Sequence, residues 1–222
     1  MKKIIVRPTS SGLWHVEGGG FGDLLRRARE SKDWATAADM RFEGVQRLLD
    51  AIPEEDVVLD WNDGGTRAAM ELIYASASDH LAVGEVEMAA ALWENLAAMD
   101  EEDHMSVNVL LALCYVELED YDCWEEAMFD ISTKTPEYHL LTLWAEYNRS
   151  GGIDRDALRQ LRTRHKAWWE EFTAAEHPAD EAYMNDCRSD RPSQSTEARE
   201  FWFATESIWE RNVEFIEALR KA

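Results

Sequence analysis

Histidine and carboxylate spacing is where catalysis or metal binding would first show. The six histidines are His15, His80, His104, His139, His165 and His177, and no two stand four apart, so no helical face presents a paired-imidazole metal site. Glu101-x-x-His104 would set two ligands on one helical turn. It lies, however, in the run Asp100-Glu101-Glu102-Asp103, whose acids suit the N-terminal dipole of the helix that follows. Asp79-His80 supplies half of an acid–base pair, with no serine or cysteine in a nucleophile's local context. Gly18-Gly19-Gly20-Phe21-Gly22-Asp23 lacks the Gly-Lys-Ser/Thr ending of a phosphate loop and the G-x-G-x-x-G register, and reads as a joint between elements. Cys114, Cys123 and Cys187 form no C-x-x-C pair and suit a reducing compartment, where they act as small hydrophobes. No catalytic group, metal or cofactor is specified, and the chain is expected not to be an enzyme. The minority reading is a site without a motif, built where Asp, Glu and His from different elements converge.

The elements that would position any site are mostly helices. Residues 1–20 differ from the rest: Ile4-Ile5-Val6 and Leu13-Trp14-His15-Val16 flank the turn-forming Pro8-Thr9-Ser10-Ser11-Gly12 and predict a β-hairpin or an added strand. Residues 21–65 hold two stripes at helical spacing, Phe21, Leu24, Leu25, Ala28 and then Trp34, Ala37, Ala38, Arg41, Val45, Leu48, Leu49. They end at Pro53-Glu54-Glu55-Asp56 and at Asp60-Trp61-Asn62-Asp63-Gly64-Gly65, and suggest a degenerate hairpin.

Residues 66–172 repeat. Ala77 and Ala89, Ala112 and Trp124, and Ala145 and Ala157 are each twelve apart, and Trp93, Met128 and Leu161 follow four residues later. The starts lie 35 and 33 residues apart, the interval of stacked helical hairpins. The predicted helix pairs are 66–81 with 85–99 around Gly84, 106–118 with 121–132, and 137–149 with 154–172. Residues 173–222 are a polar loop and a helix over 196–219 with Ser195 as its N-cap, read as the cap on the last unit or, alternatively, a partner-binding helix.

Leu111-Ala112, Tyr115, Tyr121, Met128 and Pro136 resemble the consensus of the tetratricopeptide repeat, over about 100 of the 222 residues. Trp124 stands where that family usually has alanine, and Asn148 where the middle unit has Tyr115. The resemblance implies a mainly all-α protein, an α-α superhelix of helical hairpins, to which the terminal residues add a short N-terminal β-hairpin or strand and a C-terminal capping helix. It further implies a groove lined by first helices: Glu71, Tyr74, Ser78 and Leu81; Ser106, Val109, Leu113 and Val116; His139, Thr142, Glu146 and Arg149. These lack the Lys and Asn set with which some relatives clamp a C-terminal carboxylate.

Charge bounds the partners. With 45 acidic and 23 basic side chains the net charge is −22, which repels nucleic acid and anionic membranes and favours basic proteins. Ten Trp argue for a packed core, and of the adjacent Trp168 and Trp169 one must face outward, since neighbours on a helix diverge by about 100°. No apolar run reaches the length of a membrane span, and a cytoplasmic location is expected. The function expected is a non-catalytic scaffold binding a protein or peptide in the groove. The alternative is an acidic chaperone, immunity protein or inhibitor covering a cationic surface with Glu117, Glu119, Asp120, Asp122, Glu125 and Glu126. The aromatic content is also compatible with a homodimer.

Overall fold

The β-prone N-terminal runs do pair. In the computed structural model, which describes residues 3–53 and 56–222, strand β1 (Ile5–Pro8) runs antiparallel to β2 (Trp14–Glu17), matching Val6 with Val16 and Pro8 with Trp14. Two strands alone are marginal in water, and this hairpin is tied down. The Trp14 N–H donates to the Val58 carbonyl at 2.8 Å, Asp60 N–H donates to the Trp14 carbonyl at 3.0 Å, and Val16 N–H donates to the Thr66 hydroxyl at 2.9 Å.

Helices make up 66% of the structure, so the fold is mainly α. The chain forms two compact units, Met1–Leu81 with Glu85–Leu111, and Ala82–Gly84 with Ala112–Ala222. In the first, α1 (Phe21–Glu30) packs on α2 (Trp34–Leu49), which starts where the Asp33 carboxylate accepts from Thr36 N–H. Gly44 is buried on α2 because a Cβ there would lie 2.8 Å from a Leu24 methyl and 2.9 Å from one of Leu72. Helix α3 (Gly64–Ala82) is capped by Asp63, which accepts from the Thr66 N–H and hydroxyl at 2.8 and 2.7 Å. Arg41 on α2 forks onto Asp79 on α3 at 2.5 and 2.7 Å. Gly84, at φ +82, allows the turn into α4 (Val86–Met99), whose fully buried Trp93 meets the Tyr74 ring at 6.2 Å.

Helix α5 (Val107–Glu117) crosses from one unit to the other. Every residue over 110–116 is buried, the placement expected of a helix that is apolar all round. The second unit continues with α6 (Tyr121–Asp130), α7 (Pro136–Ser150), α8 (Arg155–Arg164), α9 (Lys166–Thr173), the short α10 (Glu181–Asp186), α11 (Gln194–Trp209) and α12 (Val213–Lys221). Its core is aromatic. Trp144 meets Trp209 at 5.0 Å, Phe172 meets Trp202 at 5.2 Å and Trp209 at 5.3 Å, and Phe215 closes on Trp144 at 6.4 Å. Trp168 is buried while Trp169 is half-exposed under the Arg162 guanidinium, 4.9 Å from its ring, as divergence on a helix requires.

Several boundaries differ from the sequence reading. The helix expected over 154–172 breaks at His165, where φ is −120° and ψ 47°. The break lets α8 pack on α7 while α9 packs on α11. The helix expected over 196–219 begins at Gln194, and its N-cap is Ser193, not Ser195, because the Ser193 hydroxyl accepts from Thr196 N–H. It is also interrupted at 210–212, where the Asn212 side chain turns to donate to Glu117 at 2.6 Å and to the Ile208 carbonyl at 3.0 Å. Of the predicted stop after α2, Glu54 and Glu55 lie outside the described residues.

Candidate functional site

The acidic string singled out in the sequence occupies the α5–α6 corner. Helix α5 ends in a Schellman arrangement: Glu119, at φ +57, donates its N–H to the Val116 carbonyl, and Asp120 donates to Tyr115. That closure normally falls to glycine, since an L side chain in left-handed backbone costs about 1–2 kcal/mol. The Asp120 carboxylate then accepts from Cys123 N–H at 3.2 Å and starts α6.

Along α6, Asp122, Glu125, Glu126 and Phe129 fall at i, i+3, i+4 and i+7 and so form one stripe. All four are exposed and line an open concavity of about 670 Å³. Phe129 is 89% exposed, far beyond the 41–54% of the other exposed large apolar residues. Burying such a ring is worth about 1.5–3 kcal/mol, which here is unrealised. Arg149, near the C-terminus of α7, lies over the Tyr121 ring at 5.1 Å and reaches Glu125 at 3.6 Å. Glu117 is turned inward, accepting from Asn212 with Arg211 at 3.5 Å. It lines a second concavity of about 470 Å³ with Glu119, Tyr147, Asn148, Gly151 and Asn212.

The residues expected to line a groove differ in exposure. Leu81, Leu113, Val116 and His139 are buried, and the enclosed α5 accounts for Leu113 and Val116. Glu71, Tyr74, Ser78, Val109, Thr142 and Glu146 are half-buried, while Ser106 and Arg149 are exposed. Ser78 donates to the Tyr74 carbonyl at 2.9 Å and Thr142 to that of Tyr138 at 2.7 Å, so both hydroxyls are spent on their own helices. Burial, with Asp103 nearby, raises the Tyr74 phenol above its ordinary value.

The chemical candidates are likewise engaged in structure. Asp79 serves Arg41, and His80 Nδ1 meets Glu85 at 2.6 Å. His104 takes Asp100 at 2.6 Å rather than Glu101, and stacks on Trp61 at 5.0 Å. Gly18, Gly19 and Gly20 all have left-handed backbone and form the joint before α1. Cys114, Cys123 and Cys187 are not joined by disulfides. Among the described residues no group of three or more His, Cys, Asp or Glu is placed to hold a metal ion, and no helix is long and apolar enough to cross a membrane.

No protein-family model, curated protein or solved structure matches the chain. Phe129 is the surface feature that sequence reasoning missed. Its signal was present, because it is the aromatic residue on the stripe set by Asp122, Glu125 and Glu126.

Proposed function

We propose that this protein is a non-catalytic protein-interaction module that binds a cationic peptide or protein through the α6 stripe. The observation that carries the reading is an 89% exposed Phe129 in line with three exposed carboxylates. An aromatic anchor ringed by charge is the composition of an interface hot spot, and the acids speed and orient the approach of a basic partner. The partner suited to it carries an apolar side chain for Phe129 flanked by Lys or Arg at the spacing of Asp122, Glu125 and Glu126. Glu119 in a costly left-handed conformation supports the same corner, since strain of this kind collects at working surfaces. The tetratricopeptide-like reading remains the proposed origin of the scaffold, supported by the succession of short helices and tight turns from α3 to α8. The groove becomes the secondary reading, because four of its expected residues are buried.

The test is selection from a displayed random-peptide library on the immobilised protein. Wild-type protein is expected to enrich Lys- or Arg-rich peptides with a central apolar residue, and Phe129→Ala to bind them about 30-fold more weakly, the scale of an aromatic hot spot. Enriched peptides that bind Phe129→Ala and Glu125→Lys/Glu126→Lys as tightly as wild type would remove the proposal.

A further inference from the structure

Helix α8 is lightly held. It has 10 residues and buries only Ala157 and Leu161. Both ends permit rotation: Gly151 precedes it with φ +71°, and His165 follows it outside helical geometry. What comes next is fixed, because α9 sends Trp168 and Phe172 into the aromatic core and Glu171 to Arg199. Elements with few buried contacts between hinges are those that open locally.

Two histidines span this joint. His139 on α7 is buried at 8% exposure, and its ring lies 5.6 Å from that of His165, the planes inclined by 37°. Around them stand Tyr138 on α7, edge-on to His139, Arg164 at the end of α8, and Asp154 at the N-cap of α8, while Lys166, next in sequence to His165, pairs with Glu170 on α9. Asp154 is the carboxylate of this group, and it already accepts from Ala157 N–H at 2.7 Å. Burial, then His165 and Arg164, push the His139 imidazole below its ordinary value; burial and Arg164 do the same to His165. The closed hairpin therefore favours the neutral form of both rings.

We propose that the His139–His165 pair is an acid-sensitive latch, whose protonation swings α8 away from α7 about Gly151 and His165 while α9 stays in place. Proton uptake places new cations against each other and against Arg164, and movement of α8, which carries Arg164 and begins at Asp154, relieves that repulsion and opens a route for water to His139. The opened form accepts protons that the closed form resists, so it gains population as pH falls below about 6.5, the ordinary imidazole value. One tie opposes the motion: Arg162 stacks on Trp169 and donates to the Ala222 carbonyl at 3.2 Å. It lies at the surface, where water replaces it.

Amide hydrogen exchange on the full chain at pH 7.5 and 5.5, corrected for intrinsic rates, tests the latch. Protection of residues 158–164 should fall at least tenfold relative to α11 at the lower pH. In the double variant His139→Gln/His165→Gln the fall should be under twofold, and in Arg164→Gln it should be smaller than in wild type. Protection of α8 that follows α11 at both pH values would overturn the proposal, as would the full tenfold loss in the double variant. Should the double variant lose α11 protection already at pH 7.5, Arg164→Gln decides alone, and a fall as large as in wild type overturns the latch.

Discussion

Arg199 holds the buried Glu171 by two parallel hydrogen bonds, Nε to Oε1 at 2.9 Å and Nη2 to Oε2 at 2.8 Å, while His177 Nδ1 shares Oε1 at 2.8 Å. His177 in turn lies flat on Trp202 at 3.8 Å, and Arg199 also donates to the Pro178 carbonyl. One clasp thus joins α9, α11 and the segment between α9 and α10. Burial alone would raise the Glu171 carboxyl, but the bonds from Arg199 and His177 outweigh it and hold it below the usual glutamate range. Arg199→Met leaves the buried carboxylate with His177 as its remaining partner and should cost about 3 kcal/mol in chemical denaturation.

The same clasp makes stability acid-dependent. A carboxyl held low in the fold stabilises fully above its unfolded pKa, about 4.3, and that stabilisation is lost as pH falls through the lower folded value. Wild type should therefore lose stability below about pH 4.3 more steeply than Glu171→Gln, which has no such carboxyl to protonate. Denaturation midpoints between pH 5 and 2 check this, and parallel curves would contradict it.

How much of this was legible in the sequence follows from which forces set each feature. The β-hairpin, the α1 and α2 stripes and the Gly84 turn were readable because local propensity and packing agree there. The break at His165 was not, since Ala157, Leu161, Trp168 and Phe172 keep one helical register across it. Only the different partners of α8 and α9 bend the chain. The groove residues were assigned by resemblance, whereas a run of seven buried residues on α5 shows enclosure that periodicity alone does not reveal. Ser193 and Ser195 are equally good caps as residue types; the choice came from where the helix starts.

Glu119→Gly separates stability from function at the α5–α6 corner. Relief of the left-handed backbone should stabilise the protein by about 1 kcal/mol. The lost carboxylate should at the same time weaken capture of a basic peptide. A thermal melt paired with a binding titration checks both signs.

Arg149→Ala distinguishes the two surfaces. Its contacts with Glu125 at 3.6 Å and with the Tyr121 ring at 5.1 Å both lie at the surface, so stability should change by no more than about 1 kcal/mol. If the α6 stripe binds the partner, freeing Glu125 should speed association of a basic peptide. If the expected groove binds it, removing Arg149 should weaken binding. Stopped-flow association rates decide between them.

Salt should act strongly on the same association. Exposed charges are screened within about 8 Å at physiological ionic strength. The association rate is expected to fall severalfold between 50 and 500 mM NaCl in wild type, and far less in Glu125→Lys/Glu126→Lys.

Titration of a selected Lys/Arg-rich peptide into isotope-labelled protein, followed by amide and aromatic NMR shifts, locates the binding surface. Asp122, Glu125, Glu126 and Phe129 are expected to shift in a saturable way, and Tyr74, Ser78 and Val109 to stay still. Saturable shifts confined to Tyr74, Ser78, Val109 and Thr142, with Phe129 unmoved, would contradict binding at the α6 stripe.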